Sequence, residues 1–453
     1  MPTPASVDVL ILGGGVAGLS TAYHLGRGLR TLVVEKDKKP GGRAGSIAKD
    51  GFLFDHTGHL LHLHDPYGKK LILSLLRGNV GVHRRDSWIH SHGTFTRYPF
   101  QANTFGLPPR VVEECAALFL KNRLLGIRPP EGASFERWCR DTFGEGICRN
   151  FMFPYNLKLW RRPLSELTTD WQGRFLPKPS PEEVLNGALL DQRKGFGYNA
   201  TFRYPLRGGS QALPDALAAR VKDLRLEAEV LRVDLEQKTA LIKGLGEVRY
   251  ERLVNTLPLD DFLDIACPLP ASVRAARARR RRISVYNLNL GVARGGISPM
   301  HWAYFPEKRF VFYRVGFQSN FAKTVAPRGA TSIYIEISRR PEERVSLDLL
   351  ESQALQGLRS CGLLKPSDRL LTKLWIPIGC AYVVYDKHRA AAFSTLMRHL
   401  ESVGAHSIGR WGGWKYSFME ETILDGKRCA EKLLGLAGGH AARESQAELV
   451  PLK

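Results

Sequence analysis

Gly13, Gly15 and Gly18 stand at the spacing G-x-G-x-x-G directly after the apolar run Asp8-Val9-Leu10-Ile11-Leu12. A second apolar run, Thr31-Leu32-Val33-Val34, ends in Glu35, 22 residues beyond Gly13. Strand, glycine turn, helix and second strand in this order make a dinucleotide-binding unit. Gly13 forms the tight turn, Gly15 lets the backbone approach a pyrophosphate, and Gly18 lets the helix pack closely on the strand. The helix N-terminus offers unpaired N–H groups and a partial positive charge to phosphate. Glu35 is placed to accept hydrogen bonds from both hydroxyls of an unphosphorylated ribose.

A second glycine turn lies far along the chain, where Gly409-Arg410-Trp411-Gly412-Gly413-Trp414-Lys415-Tyr416 runs into a helix start at Ser417. Such a turn resembles the one by which a large FAD domain completes its cofactor site, where its N–H groups would meet the pyrimidine or ribityl oxygens of the flavin. Gly41-Gly42-Arg43 resembles the stretch that follows the second strand in FAD proteins of the glutathione-reductase and amine-oxidase type. That resemblance brings Gly42 and Arg43 to the pyrophosphate and ribityl chain, and makes a tightly held FAD the expected cofactor.

The elements that must position these residues are spread along the whole chain. At 453 residues and 43% hydrophobic content, the chain supports roughly two to three domains with substantial cores. No apolar run reaches the ~18 residues expected of a membrane span. The N-terminus has no secretory pattern, so a cytoplasmic location is expected. Seven cysteines without a C-x-x-C pair argue against a disulfide framework or a zinc site. His56, His59, His62 and His64 lack a set of Asp, Glu or Cys partners, so no metal is expected. The net charge of +22 suits anionic ligands, yet no recognised nucleic-acid motif accompanies it. The run Arg274, Arg277 and Arg279 to Arg282 reads as a solvated basic face, with an acidic small-molecule substrate as the next reading.

Apolar spacing predicts helices over Val111–Leu125, Phe135–Thr142, Pro181–Leu190, 210–220, 346–358 and 417–435. It predicts strands at Val230–Asp234, Thr239–Lys243, Glu247–Tyr250, Val285–Leu290, Phe310–Val315, Ser332–Ile337 and Trp375–Tyr385. The fold class is α/β: an FAD-binding Rossmann-type, glutathione-reductase-like domain interleaved with a helical and antiparallel-sheet substrate domain. Segments 1–75, 203–262 and 395–436 are expected to form the first. Segments 76–202 and 263–394 are expected to form the second, and 437–453 a flexible tail.

Further motifs carry a closer resemblance. They are Phe54-Asp55-His56-Thr57-Gly58-His59, Tyr98-Pro99-Phe100-Gln101, Pro154-Tyr155-Asn156-Leu157-Lys158-Leu159-Trp160, Trp302-Ala303-Tyr304-Phe305-Pro306 and Phe312-Tyr313-Arg314. Over roughly residues 7–435 the chain resembles the UDP-galactopyranose mutases, within the amine-oxidase and protoporphyrinogen-oxidase superfamily. The resemblance implies that Gly58 and His59 lie beside the flavin. It puts Tyr98 and Gln101 at the nucleoside end, and Tyr155, Asn156 and Trp160 around the uracil, with Asn156 reading the base edge. Tyr304 and Arg314 would bind phosphate, and Tyr382 and Tyr416 would lie near the diphosphate and the flavin edge. Two departures stand out. The family's second arginine, in W-x-G-E-R, corresponds to Arg174 in Trp171-Gln172-Gly173-Arg174, one residue closer to the tryptophan. Ser319-Asn320-Phe321 replaces S-N-Y, so a tyrosine hydroxyl that contacts the diphosphate is missing.

The resemblance implies an FAD-dependent mutase that interconverts the pyranose and furanose forms of a nucleoside-diphosphate sugar through a bond between reduced flavin N5 and the sugar. His59, Arg174 and Arg314 would be its catalytic residues, and NAD(P)H its transient reductant. An FAD-dependent oxidoreductase of the amine-oxidase or protoporphyrinogen-oxidase type shares the glycine motifs but needs no arginines for a diphosphate. A flavoprotein scaffold without activity is the third reading.

Overall fold

The computed structural model describes residues 6–435 apart from Tyr198, with the side chain of Arg174 also outside the described part. The segment expected as a tail, 437–453, lies outside the described residues. Within them, eight strands form one sheet and seven form another.

The first sheet is built around Ser6–Leu12, which pairs in parallel with Thr31–Val34 on one side and Gly246–Asn255 on the other. Its inner residues are buried because helices cover both faces, as the uninterrupted apolar run requires. Helix Val16–Leu25 crosses over it and packs against the last helix, Met419–Leu433. A Cβ on Gly18 would lie 2.0 Å from the Gly13 carbonyl oxygen, so glycine is required for this close approach. Strand Ala405–Ser407 adds in parallel beside Gly246–Asn255 and delivers the chain to the second glycine turn.

The second sheet is antiparallel over most of its width. Its centre is the long strand Arg282–Val292 between Thr331–Arg339 and Leu370–Val383. Strands Arg314–Phe317 and Trp302–Tyr304 extend it. Helix Leu347–Ser360 covers one face over Phe305, Phe310 and Phe312. On the other lies a helical layer: Pro109–Leu124, Phe135–Ile147 and Phe153–Trp160. No helix among the described residues is long and apolar enough to cross a membrane.

Two local expectations are corrected. Strand structure begins at Arg314 rather than at Phe310. Phe310 and Phe312 are instead packed with Phe305, and the Phe312 carbonyl accepts a hydrogen bond from Lys158 Nζ. The basic run is also not a uniformly solvated face. Helix Leu259–Ile265 sets Asp260, Asp261 and Asp264 against it, pairing with Arg280, Arg282 and Arg277. The Arg280 side chain is fully buried, 4.8 Å from the ring of buried Trp414. Its charge therefore braces the glycine turn at 409–416.

Removing one member of a buried pair leaves the other without compensation. Arg280→Leu should destabilise the protein by roughly 3 kcal/mol in urea unfolding, because Asp260 loses its buried partner. Arg274→Leu, on the exposed end of the same run, should change stability by less than about 0.5 kcal/mol.

Candidate active site

One cavity, of about 200 Å³, runs between the two sheets. At one end it is lined by Gly15, Val16, Ala17, Gly41 and Arg43, the N-terminus of the first helix with the cation that follows the second strand. In its middle are Thr57, Gly58 and His59, facing Gly409, Arg410, Tyr416 and Ser417. At the far end stand Tyr313, Arg314 and Tyr382 from the second sheet. Backbone donors at one end and apolar walls from Val285, Ile378 and Phe418 suit a dinucleotide with a flat aromatic ring. The nearest atom to a Cβ on Gly15 would be the Gly41 carbonyl, 4.0 Å away, so a side chain there would project into this space. Gly42 lies against Gly15. Glu35 does not line the cavity. It is buried and holds the glycine turn, accepting from Gly14 N at 2.8 Å and Asp37 N at 2.9 Å. Burial raises its carboxyl above the ordinary range.

Arg314 begins its strand, in register with Tyr304 on one neighbour and Glu336 on the other. Glu336 is fully buried and accepts from both the Arg314 guanidinium and the Tyr313 hydroxyl. Burial disfavours the Arg314 charge, but the Glu336 carboxylate, with smaller contributions from Tyr334, Tyr382 and Tyr313, outweighs it and keeps the guanidinium protonated. The same rung continues to Asn287, whose amide donates to the His56 carbonyl at 2.6 Å. Glu336 thus orients the cation and its sheet neighbour anchors the histidine loop. His59 is driven down to about 3 by burial first and then by nearby His56, Arg410 and Arg314, so it is neutral. Its Nδ1 lies 3.3 Å from the Thr57 carbonyl; an N–H there leaves Nε2 as an acceptor.

Arg410 donates to the Ser417 carbonyl at 2.7 Å. Its guanidinium lies 4.6 Å from the Tyr416 ring centre and 5.6 Å from that of Tyr382. The two rings are nearly parallel, 6.4 Å apart. Beyond them an aromatic shelf forms: Tyr155 meets Tyr304 edge-on at 5.5 Å, Tyr98 lies 5.4 Å from Tyr304, and Trp160 lies 6.0 Å from Tyr382.

Asn156 and Gln101, expected at the substrate, and Asn320, which the resemblance also puts among the substrate-binding residues, give their side-chain N–H groups to backbone carbonyls. Asn156 is buried and donates at 2.8 Å to the carbonyl of Met152, the residue just before its own helix. Gln101 is buried and donates to the Pro177 carbonyl at 2.8 Å. Asn320 donates to the carbonyls of Ser298 and Met300. Phe321 is 2% exposed, packed among Phe202, Tyr204, His301 and Trp302, and does not line the cavity. The position expected to lack a diphosphate contact thus holds a ring packed in an aromatic cluster beside the cavity. Arg174 belongs to the short turn Gly173–Phe175, and its side chain lies outside the described residues. Sequence reasoning missed Glu336 and Arg85, whose guanidinium lies 4.6 Å from the Tyr98 ring centre. The signal for Glu336 was present, a carboxylate within the apolar strand Thr331–Arg339.

The nucleotide-binding turn, the second glycine turn and the cavity between them define a flavoprotein. The chain belongs to the flavin containing amine oxidoreductase family, whose family model matches residues 16–434. FAD is its cofactor, and it is a flavin-dependent enzyme of the amine oxidase superfamily. Among solved structures it is similar to a reduced UDP-galactopyranose mutase, with a TM-score of 0.90 and 27% identity over 98% of this chain and 99% of that one. A putrescine oxidase variant redesigned in cofactor binding shares the fold, with a TM-score of 0.65 and 18% identity over 95% and 99% of the two chains. In sequence the chain is 28% identical over 187 residues to a coproporphyrinogen III oxidase of Propionibacterium freudenreichii subsp. freudenreichii, covering 37% of this chain. That match spans 34% of the relative's own length. No group of three or more His, Cys, Asp or Glu side chains among the described residues could hold a metal.

Gly15→Val should yield a folded protein that purifies without flavin absorbance, since the side chain enters the phosphate end of the cavity. A yellow variant would contradict this placement. Phe321→Tyr should cost about 1–3 kcal/mol of stability by burying a hydroxyl without a partner. Nucleoside-diphosphate affinity should stay unchanged, as measured by urea unfolding and calorimetry.

Proposed function

We propose that the chain is a flavin-dependent sugar-nucleotide mutase that interconverts pyranose and furanose forms of a UDP-galactose-like substrate. The observation that carries this reading is Arg314. It is a cation kept charged by a buried carboxylate, at the end of the flavin cavity, among Tyr304, Tyr382 and Tyr416. Hydride removal from an amine or porphyrinogen has no need of such a cation, whereas departure of a nucleoside diphosphate does. The whole-length likeness to a solved UDP-galactopyranose mutase supports the same reading.

When bound and reduced, FAD would supply a nucleophile toward the anomeric carbon. The protein's own residues do the rest. Arg314 takes up negative charge as the diphosphate departs, and the hydroxyls of Tyr382 and Tyr416, which line the same cavity, are the proposed donors to its oxygens. Burial raises the Tyr382 hydroxyl to about 12, so it stays protonated as a donor. Neutral His59 can accept a hydrogen bond at Nε2 without adding charge to the cavity. The shelf of Tyr98, Tyr155 and Trp160 suits the face of a nucleobase. Arg174, by its place in the sequence, is the proposed second cation. A reductant such as NAD(P)H would be needed to prime the flavin, with no net redox change per turnover. The second reading, an oxidoreductase, draws on the match to a coproporphyrinogen oxidase.

Arg314→Lys keeps Glu336 partnered but loses the planar fork. It should lower mutase turnover at least about 100-fold, with the flavin spectrum intact. Unchanged turnover, measured by chromatography of the sugar nucleotides, would remove Arg314 from its assigned role.

A further inference from the structure

Helix Phe153–Trp160 has a second face that the proposed reaction does not use. Pro154, Leu157, Lys158 and Arg161 recur at helical spacing on that face and line a separate cleft of about 700 Å³. The cleft shares no residue with the flavin cavity. Three elements bring five basic side chains to it: Lys158 and Arg161 from the helix and its end, Lys308 and Arg309 from a loop, and Arg339 from the end of strand Thr331–Arg339. None of its lining residues is acidic. The nearby carboxylates are too few to neutralise the set. Glu343 serves Arg161 at 3.0 Å and Arg340 at 3.3 Å, and lies 3.7 Å from Arg339. Glu307 lies 3.1 Å from Arg309 and 3.5 Å from His90 Nδ1.

These cations also differ from an ordinary solvated patch. The Arg339 side chain is 17% exposed, whereas Lys158 Nζ gives all three N–H groups to the carbonyls of Phe305, Glu307 and Phe312 and forms the floor. Arg161, Lys308, Arg309 and Arg339 therefore supply the charge offered to a ligand. Burial pushes Lys158 down to about 7 and lowers Arg339 as well. Concave walls and partly desolvated cations strengthen attraction for a small anion over that of a flat, hydrated surface. Gln353, Gln356 and Ser360 add neutral polar groups at the rim, and Leu157 and Val311 an apolar wall.

We propose that this cleft is a second anion site, for a ligand with two or more adjacent phosphate groups. The ligand would lie on the back of the helix that carries Tyr155 and Trp160, and the site stands whether or not the mutase reading is correct.

The test is calorimetric titration of the flavin-loaded protein with inorganic pyrophosphate, in the wild type and in three variants. Lys308→Glu alters an exposed residue and keeps the fold. The double variant Arg161→Gln/Arg339→Gln removes the inner pair. Arg314→Lys alters only the flavin-side cation. Arg314→Lys should remove only the pyrophosphate binding that belongs to the flavin-side cation. The binding that persists in Arg314→Lys should fall at least tenfold when Lys308→Glu or the double substitution is added. Absence of binding at millimolar pyrophosphate would overturn the proposal. So would binding that Arg314→Lys abolishes, or that persists in it unaffected by Lys308→Glu. In a parallel arm, a nucleoside diphosphate binding more tightly than pyrophosphate at the same residues would identify a nucleotide ligand. Equal affinity would identify a free phosphate ligand, and either result supports the site.

Discussion

The charge pair between Arg314 and Glu336 is the constraint on which the site depends. A carboxylate at the centre of a sheet is tolerated only with a partner. Glu336 has two, the guanidinium beside it and the Tyr313 hydroxyl. The pair fixes the cation in a single orientation before any ligand arrives. Through the strand register the same rung reaches Tyr304 on one side and Asn287 on the other. Asn287 holds the His56 carbonyl, so the loop carrying Gly58 and His59 is anchored to the strands that carry the cation. A second buried carboxylate, Asp55, ties the start of that loop to Ser46, Tyr204 and Ser210. Two buried acids therefore set how the sheets meet around the cofactor.

The cofactor end relies on backbone. The first helix offers its N-terminus, and close packing of Gly18 on Gly13 keeps that helix near the strand. The turn at 409–416 is clamped from outside by Arg280 on Trp414 and by Arg389, which donates to the Trp414 carbonyl. Part of the positive charge is thus structural. It holds the turn whose Tyr416 amide donates to the Tyr385 hydroxyl at 2.8 Å.

What was legible in the sequence was local. Gly13, Gly15, Gly18 and Glu35 lie within one supersecondary unit, and the turn they form follows from their spacing alone. Arg314 was conspicuous as a cation among apolar neighbours. Recognition by Asn156, Gln101 and Asn320 was not legible, because an amide in the sequence does not disclose which carbonyl lies within reach. All three are occupied by backbone. Phe321 looked like a lost phosphate contact until its ring was found inside an aromatic cluster. The basic run misled for a similar reason. Asp260, Asp261 and Asp264 are visible nearby, but only the tertiary packing that sets helix Leu259–Ile265 beside this segment pairs them with the arginines.

The central claim is that the site rearranges a sugar without net oxidation. Its most direct test is anaerobic incubation of the dithionite-reduced holoprotein with UDP-galactofuranose, with product followed by NMR and the flavin by absorbance. The account predicts UDP-galactopyranose over many turnovers with the flavin still reduced at the end. An unchanged sugar ring, with the oxidised flavin instead taking up electrons from an amine or porphyrinogen, would contradict it.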